Sequence, residues 1–543
     1  MVGPVDRCRI GERLVTELLI TGGTLVDGSG APGRAGSLAA ADGRLRLMDA
    51  DQPPPSARRV IDAAGLVVAP GFIDLHSHSG LWLLHEPLHE PKVRQGVTTE
   101  VIGVDGLSYA PMSRASDLAA LVEMNAGLDG RPDVALDWDT VASYLGQFDG
   151  QVAVNVAFLI GNSALRICTM GWEDVPADHM AMADMRAMLR EGMAEGAYGV
   201  SSGLDYPPGA YASMEELADL TATAARHGGF YHTHVRYDLG DRYLDPFREA
   251  LQIGEMADGP VHLTHFYHRQ TYPGGHEPML ALVDDARAAG RDVTFDTYPS
   301  EWASTRLLIQ LPQWVQAGGP GPLKERLADP GTRRRMREEI QRHGPAHGAP
   351  LDWGDVRLGA FDAEDNQRWE GLTLEDVGRE LGLDPIDALC DLLLAEDLRI
   401  NQVTPGPWSE TLPHFVAHPA GMVGTDSTFI GLKPSPRTYG SFPRILGQFV
   451  RDERRLSLEE AVRKMTSAPA ARLGLRDRGL LRDGFVADLV VFDPARVRSN
   501  ATYDEPRQYP DGIEYVIVNG TVVVDHGVHT EALPGRALRH GRD

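Results

Sequence analysis

The strongest constraint on the fold is an alternation of short apolar strands with helical segments over roughly 400 residues, as a (β/α)8 barrel with insertions requires. Predicted strands occupy 152–158, 196–200, 228–233, 261–264 and 292–296, and a predicted helix runs from Met214 to His227. A doubly wound sheet would alternate in the same way, so periodicity alone leaves both folds open. We predict an α/β protein, with the TIM barrel as the preferred fold.

Both ends of the chain carry a different pattern, in which short apolar runs are interrupted by Gly and Asp. Leu18 to Thr21 leads into a Gly-Gly pair, and Val516 to Val524 contains an Asn-Gly turn of the primed type. We predict a small discontinuous β-sandwich domain from 16–68 plus 476–530, and a barrel from 69–475 with an insertion at about 312–410. Within the insertion, Arg333 to Arg337 is interpreted as a solvated helix face and Ile386 to Leu394 as a helix.

Composition excludes several classes of protein. The net charge of -25 argues against a nucleic-acid partner, because such proteins usually present a basic face. Three cysteines are too few for a disulfide framework, and no apolar run reaches the roughly 18–20 residues of a membrane span. The segment from Met1 to Arg13 lacks the apolar core of a secretory signal. We expect a cytoplasmic protein with a small-molecule ligand and no membrane association.

Two histidines follow a predicted apolar strand that runs from Val67 to Leu75. His76 and His78 are two residues apart, so their side chains project from the same face of an extended chain. Paired imidazoles at the end of a strand form half of a typical metal site. The pair is equally compatible with two ordinary loop histidines, and other residues have to decide between these interpretations.

Three further polar residues also come at the ends of predicted strands. His234 and His265 end two neighbouring strands, and Asp426 ends the strand that begins at Gly421. Active sites of barrels are built at this end of the strands, so four histidines and a carboxylate there predict a metal centre. His232 and His262 are interpreted as core or supporting residues rather than ligands.

The chain resembles the amidohydrolase superfamily and, within it, the D-aminoacylase (N-acyl-D-amino-acid deacylase) family. The resemblance covers nearly the whole chain. The stretches that carry it are 19–28 (LITGGTLVDG), 70–78 (PGFIDLHSH), 95–99 (QGVTT), 199–209 (GVSSGLDYPPG), 231–236 (YHTHVR), 296–299 (DTYP) and 436–440 (PRTYG). The 199–209 and 436–440 stretches are more specific to the family than the His-x-His pair.

The resemblance implies the barrel and the small β domain, and it implies hydrolysis of an N-acyl-(D-)amino acid amide by a metal-activated water. Zinc, as one or two ions, would be held by His234, His265 and a residue at the end of the second strand, with a second position at His76 and His78. Asp426 would be the catalytic carboxylate and a further ligand. The substrate-binding residues would be Arg437 for the carboxylate and Tyr206, Tyr298 and Ser304 along the pocket.

Four departures from the family pattern lie near the expected site. Asp105 stands where the family usually has a cysteine ligand; a carboxylate can bind zinc and bridge two ions, and it also suits manganese or iron. A plain turn residue is the alternative for Asp105, and Glu100 is a weaker ligand candidate. Tyr267 replaces a substrate-binding lysine and keeps only a hydroxyl donor. The segments 161–163 and 79–80 also differ from the usual sequence.

These departures leave two other functions open. One is a different reaction of the same superfamily, such as opening a cyclic amide or imide or deaminating a base, although we find no candidate for the carbamylated lysine that many cyclic-amide hydrolases use. The other is a non-catalytic scaffold that kept the fold and lost its metal. The sequence predicts no oligomeric state.

Overall fold

The structure is a computed structural model that describes residues 16–48, 54–237, 242–343 and 352–543. Cys8 and the segment from Met1 to Arg13 lie outside these ranges. The strands, numbered in chain order, are β1 Thr16–Leu25, β2 Arg34–Ala41, β3 Arg44–Met48, β4 Ala57–Asp62, β5 Val67–Pro70, β6 Phe72–Asp74, β7 Val97–Ile102, β8 Asn155–Phe158, β9 Ile160–Gly161, β10 Gly199–Gly203, β11 Phe230–His234, β12 Val261–Leu263, β13 Val293–Thr297, β14 Trp302–Arg306, β15 Arg357–Gly359, β16 Asn401–Pro405, β17 Gly421–Val423, β18 Leu489–Phe492, β19 Ile513–Val518, β20 Thr521–Asp525 and β21 Val528–His529.

The helices are numbered in the same way. They are α1 Trp82–His85, α2 Glu90–Val93, α3 Ala115–Met124, α4 Ala126–Asp129, α5 Val141–Gly146, α6 Asn162–Met170, α7 His179–Glu195, α8 Met214–Ala225, α9 Asp245–Ala257, α10 Glu277–Ala288, α11 Pro320–Ala328, α12 Pro330–His343, α13 Leu374–Leu381, α14 Pro385–Ala395, α15 Leu412–Ala417, α16 Arg437–Arg444, α17 Leu458–Met465 and α18 Ser467–Leu473, with a π-helix at Ile445–Asp452. None of the helices in the described ranges is long and apolar enough to cross a membrane.

The central sheet is a ring of parallel strands. The pairings run β6-β7-β8 and then β9-β10-β11-β12-β13-β17, and only Leu159 separates β8 from β9. The ring closes between its first and last strands through a parallel bridge from Ser77 to Ser427. β7 is buried along its whole length, as expected where helices cover the outside and side chains fill the inside. The predicted (β/α)8 barrel is confirmed.

The two chain ends share one sheet of nine strands. β5 pairs in parallel with β1 and antiparallel with β18, so the amino-terminal and carboxy-terminal strands meet at β5. The β19–β20 turn places Asn519 at φ 50° and Gly520 at φ 83°, which is the primed geometry that the Asn-Gly pair predicts. The domain boundaries stay predictions; the strands of this sheet extend to Pro70 and resume at Leu489.

The inserted region contributes a small antiparallel sheet in the order β14-β16-β15. β14 begins at Trp302, ten residues before the predicted start of the insertion at about 312. The leucine-rich segment forms helix α14, and α12 carries the arginine run. Arg333 and Arg337 pair with acidic residues of the 384–391 segment around α14, so this face joins two helices rather than only contacting solvent.

A buried polar cluster fastens the shared sheet to the barrel. The Asp488 carboxylate pairs with Arg478 and accepts hydrogen bonds from the Asn155 side chain of β8 (3.2 Å) and the Asn519 backbone N–H (2.6 Å). The Asn519 side chain also donates to the side-chain oxygen Oδ1 of Asn155 at 2.8 Å. Because Asn155 is a barrel residue and Asn519 is a hairpin residue, the cluster sets how the two parts meet.

We expect Asp488→Ala to lower the free energy of unfolding by about 3–5 kcal/mol, because it removes the nearest carboxylate from the buried Arg478 and the acceptor of two further hydrogen bonds. Arg44→Ala is the matched control: it breaks the exposed ion pair with Asp477 and should cost about 1 kcal/mol or less. Denaturant unfolding of both variants tests this. Equal losses in the two variants would contradict a structural role for Asp488.

Candidate metal centre

Six predicted ligands converge at the carboxyl ends of the barrel strands. His76 and His78 follow β6, Asp105 follows β7, and Asp426 follows β17. The last residue of β11 is His234, and His265 comes two residues after β12. All six side chains are buried. The ring of strands therefore brings together residues that are up to 350 positions apart in the chain.

One oxygen atom of Asp105 lies at the centre of this group. Asp105 Oδ2 is 3.2 Å from His76 Nε2 and 3.4 Å from His78 Nε2. On its other side, the same oxygen is 3.7 Å from both His234 Nδ1 and His265 Nε2. A carboxylate in this position can bridge two cations, each held by one pair of histidines.

The ligands divide into two clusters that share Asp105. The first contains His76, His78, Asp105 and Asp426, and the second contains Asp105, His234 and His265. Asp426 Oδ1 is 3.2 Å from His78 Nε2 and 3.6 Å from His76 Nε2, so it belongs to the first cluster. Imidazole nitrogen and carboxylate oxygen in these numbers suit a divalent transition metal.

The residues also show the unmet hydrogen-bonding capacity that a metal would satisfy. Both ring nitrogens of His76 and Oδ1 of Asp105 are buried without a hydrogen-bond partner. Buried polar atoms without partners are costly, so their concentration at one point requires an explanation. The donor set fits a divalent ion, which would coordinate His76 Nε2 and the Asp105 carboxylate.

Three of the ligands have left-handed backbone conformations. Asp105 has φ 53°, Asp426 has φ 49° and His265 has φ 34°. Non-glycine residues adopt such conformations at some cost, and they persist where the surrounding structure holds them. Gly203 helps to hold Asp105, because a Cβ at residue 203 would lie 2.0 Å from the Asp105 carbonyl oxygen. The barrel thus fixes the backbone of the ligands as well as their side chains.

Residues behind the ligands orient the imidazole rings. His234 Nε2 lies 3.0 Å from Asp205 Oδ2, and His265 Nδ1 lies 2.8 Å from the Tyr237 hydroxyl. These contacts use the ring nitrogen that faces away from Asp105, so they orient both rings, and the Asp205 carboxylate requires a proton on Nε2 of His234. Sequence reasoning missed both partners, although Asp205 follows the end of β10 and the strand-end rule could have found it.

Asp296 supports two more parts of the centre. Its carboxylate accepts a hydrogen bond from the His265 backbone N–H at 2.9 Å, and its Oδ2 lies 3.6 Å from His76 Nδ1 and 3.0 Å from His262 Nε2. Because His262 Nδ1 also bonds Thr294, both of its ring nitrogens are engaged within the core. His232 packs in a stacked arrangement on His262 and belongs to the same layer.

A separate buried cluster lies beneath His76. Lys92 pairs with Asp74 and lies 3.2 Å from Glu100 Oε1, while Glu100 Oε2 lies 3.0 Å from His89 Nε2. Asp74 Oδ1 accepts the His76 backbone N–H at 3.1 Å. Glu100, the weaker ligand candidate, therefore has its partners in this cluster rather than among the metal ligands.

The clustering of charges shifts the pKa values of the ligands. Burial disfavours a charged His78, but the hydrogen bonds and charges of Asp105 and Asp426 outweigh burial and raise the pKa of His78 to about 9. Burial opposes the charge on His234 in the same way, and Asp105 and Asp205 raise its pKa to about 9. Burial favours a neutral Asp105, yet the neighbouring histidines hold its pKa well below the usual range.

The six predicted ligands together form a metal cage. A cavity opens beside this cage, and most of the predicted substrate-binding residues line the cavity. Tyr206, Tyr267, Tyr298 and Ser304 face this cavity together with Asp105, His234, His265 and Asp426. The hydroxyls of Tyr298 and Tyr267 are 2.9 Å apart, and Tyr206 bonds Thr305 at 2.9 Å. The Ser304 hydroxyl is engaged by Asn401 at 2.8 Å.

Arg437 occupies a different position from the other substrate candidates. It is fully buried and is not among the residues that line the cavity. Its Nη1 lies 2.8 Å from Asp426 Oδ2, and its Nη2 donates to the Ser304 carbonyl oxygen at 2.8 Å. Binding of a substrate carboxylate by Arg437 stays a prediction.

Sequence reasoning missed the remaining residues of the wall. Gln402 and Thr404 come from β16, and Thr305 comes from β14, so the inserted sheet forms one side of the cavity. Arg269 lines the cavity four residues after His265. No pattern in the sequence places β16 beside the cage, whereas the position of Arg269 after a predicted ligand was a usable signal.

Comparisons with known proteins agree with this geometry. The amidohydrolase family model matches residues 59–524. D-aminoacylase of Alcaligenes xylosoxydans xylosoxydans is 34% identical over 526 residues, covering 96% of this chain and 97% of the relative. N-acyl-D-aspartate deacylase of the same organism is also 34% identical, covering 97% and 95%. The family match extends over most of the chain and includes all six predicted ligands.

The chain belongs to the amidohydrolase family.

A solved structure shows that the fold of this amidohydrolase is shared. The crystal structure of N-acyl-D-glutamate deacylase from Bordetella bronchiseptica, in complex with zinc and a phosphonate inhibitor, has a TM-score of 0.80 and 31% identity. The match covers 97% of this chain and 100% of the deacylase. The resemblance to the D-aminoacylases that the sequence motifs predicted is confirmed.

We expect Asp105→Asn to weaken metal binding of this amidohydrolase. The amide keeps the shape of the side chain, but it loses the negative charge, and one of the two carboxylate oxygens becomes an NH2 group. Loss of a residue that only supports a metal ligand lowers metal affinity roughly 10- to 100-fold, and the loss of Asp105 should lower it by more. Elemental analysis measures the bound metal. Asp42→Asn is the control, since Asp42 has the same left-handed backbone (φ 51°) on the surface. Full metal content in Asp105→Asn would refute the bridging role.

Metal affinity should rise with pH between about 7 and 9. The metal-free protein binds protons at His78 and His234 below their pKa values of about 9, and these protons must leave before the rings can coordinate. Raising the pH removes this competition, so affinity should level off above about 9. Calorimetric titration with Zn²⁺ in buffers of different ionisation enthalpy measures the released protons. Affinity that does not change over this range would contradict the assignment.

Proposed function

We propose that this amidohydrolase hydrolyses the amide bond of N-acyl-D-amino acids with the help of one or two divalent metal ions, most simply zinc. The observation that carries the proposal is the position of Asp105 Oδ2 within 3.7 Å of four histidines, with Asp426 beside them. The names of the relatives at 34% identity, a D-aminoacylase and an N-acyl-D-aspartate deacylase, support the choice of substrate. The zinc in the related crystal structure supports the choice of metal.

A bound divalent ion supplies Lewis acidity and makes water acidic enough to act as a nucleophile near neutral pH. The six ligands are the residues proposed to hold it: His76, His78, Asp105, His234, His265 and Asp426. Asp205, Tyr237 and Asp296 would keep the histidine rings in their binding orientation.

Asp426 is the proposed proton carrier. It lines the cavity, where a substrate amide would lie, and it is also in contact with His78. Burial raises its pKa, but Arg437 and the nearby histidines outweigh this and lower the pKa to about 2. Asp426 is therefore ionised at neutral pH; it accepts a proton from the attacking water and transfers it to the departing nitrogen.

Arg437 supports this role from behind the cavity wall. Its two terminal nitrogens contact Asp426 Oδ2 and the Ser304 carbonyl oxygen, which leaves Asp426 Oδ1 directed at the histidines. The carboxylate therefore has one oxygen fixed by a buried cation and one beside the cage. This arrangement restricts the rotation of the carboxylate and keeps it close to the reacting atoms.

Two other functions receive less support. Within the described ranges, no lysine lines the cavity or belongs to the ligand clusters, so the carbamylated lysine of many cyclic-amide hydrolases has no counterpart there. Lys92, the buried lysine beneath the cage, is engaged by Asp74 and Glu100. A scaffold that had lost its metal would not be expected to retain six buried ligands in contact.

The proposed partners and cellular compartment are inferred mainly from composition. A small-molecule substrate is consistent with the enclosed cavity, and the net charge of -25 favours no nucleic-acid partner. The low number of cysteines agrees with a reducing compartment, and we propose the cytoplasm.

Asp426→Asn should lower kcat by at least about 10²–10⁴-fold while bound metal is retained, because the amide keeps an oxygen but cannot take up the proton. Turnover of N-acetyl-D-leucine, together with elemental analysis, provides the measurement. Asp258→Asn is the matched control, since Asp258 is exposed and has a similar left-handed backbone (φ 48°). Full activity in Asp426→Asn would remove Asp426 from the mechanism.

A further inference from the structure

The cavity beside the metal cage contains a cation that the mechanism above does not use. Among the residues that line it, Arg269 is the one with a permanently positive side chain; the others are carboxylates, tyrosines, histidines and small polar or apolar groups. Arg437 lies behind the wall and is already paired with Asp426. A substrate in this cavity is therefore exposed to the charge of Arg269.

Arg269 is held in place by aromatic rings rather than by an acid. Its guanidinium lies 5.2 Å from the centre of the Tyr237 ring and 5.6 Å from that of Tyr267. Nη2 is 3.4 Å from the Tyr267 hydroxyl, and Nε is buried without a hydrogen-bond partner. In the described part of the chain, no Asp or Glu forms an ion pair with Arg269. A largely enclosed guanidinium with unused donors is suited to binding an anion.

A single residue, Tyr237, connects Arg269 to the predicted metal ligands. Tyr237 is the spacer, because its ring faces Arg269 while its hydroxyl contacts His265 Nδ1 at 2.8 Å. In the substrate, only the amide nitrogen and Cα separate the reacting carbonyl from the carboxylate. An amide carbonyl at the cage would therefore place the carboxylate near this side of the cavity.

We propose that Arg269 binds the α-carboxylate of the substrate, and that the enzyme consequently prefers N-acyl-D-amino acids with uncharged side chains. The proposal rests on the proposed function. Arg269 takes the role that the sequence resemblance assigned to Arg437, and it supplies the positive charge that Tyr267 lacks.

The preference for uncharged side chains follows from the surroundings of Arg269. Once its charge is used by the α-carboxylate, no second arginine or lysine of the described ranges lines the inner cavity. Arg269 also borders a second cavity, where Trp302 and Trp408 provide apolar surface and Asp355 provides negative charge, while Glu301 is paired with Arg444. An acidic side chain would lack a partner in the inner cavity and would be repelled in the second one.

The test compares two substrates that differ only in the carboxylate, N-acetyl-D-leucine and N-acetyl-D-leucinol. The wild-type enzyme should prefer the acid in kcat/KM, and Arg269→Gln should reduce this preference by about 10- to 100-fold, since a charged hydrogen-bonding partner is lost. Arg269→Lys should retain part of the preference. Arg437→Gln should lower kcat for both substrates to a similar extent, because it acts through Asp426.

Two controls isolate the effect. Arg291→Gln removes an arginine from a surface ion pair with Glu255 and should leave both rates unchanged. Metal content and Tm of Arg269→Gln should equal those of the wild type. N-acetyl-D-aspartate should be a poorer substrate than N-acetyl-D-leucine for the wild type.

Three different results would overturn either the role of Arg269 or the proposed function. If Arg269→Gln keeps the full preference for the acid while Arg437→Gln abolishes it, the carboxylate belongs to Arg437 and the proposal is wrong. If N-acetyl-D-aspartate is the better substrate and Arg269→Gln selectively impairs it, Arg269 binds the side chain instead. If metal-loaded wild-type enzyme cleaves none of the three compounds, the proposed function itself fails.

Discussion

The site depends on one carboxylate oxygen placed among four histidines. Asp105 Oδ2 would otherwise be an isolated charge in a buried environment, which is strongly unfavourable. The histidines offset this cost by holding protons in the metal-free protein, which is why the pKa values of His78 and His234 rise to about 9. A divalent ion replaces these protons, so the same arrangement is stable in both states and favours metal binding as the pH rises.

The barrel supplies the rigidity that this arrangement needs. Asp105, His265 and Asp426 all occupy left-handed backbone conformations, and each follows a strand of the barrel ring. Behind the rings, Asp205 and Tyr237 fix two imidazoles through the nitrogen that does not face Asp105. The predicted ligand atoms are therefore supported both by the backbone of the barrel and by the residues behind the rings.

Two arginines near the cavity differ in whether their charge is already paired. Arg437 is buried and paired with Asp426, so it lowers the pKa of Asp426, the proposed proton carrier, and restricts the orientation of its carboxylate. Arg269 lines the cavity without an acidic partner in the described ranges, so its charge is available to a ligand. The inserted sheet covers the opposite side with the neutral residues Thr305, Gln402 and Thr404. The cavity wall is thus built partly from the barrel loops and partly from the small sheet of β14, β16 and β15.

The sequence by itself determined the barrel and which predicted ligands lie together at its carboxyl face. Alternating strands and helices require parallel pairing, and parallel strands bring their carboxyl ends to one face, so residues at strand ends such as His76, His234 and Asp426 had to meet. The turn at Asn519 and Gly520 could also be predicted from the sequence, because an Asn-Gly pair readily adopts the two positive φ values that this turn requires.

Only the tertiary structure decided which atoms face each other across the cavity. The pairing of Arg437 with Asp426, the spacer role of Tyr237 and the approach of β16 to the cage all join segments that have no periodic relation in the chain. Such contacts depend on the packing of loops and of an insertion, where side-chain direction is set by neighbours rather than by local sequence. For this reason the sequence pointed to Arg437 for the substrate carboxylate, while the folded cavity presents Arg269.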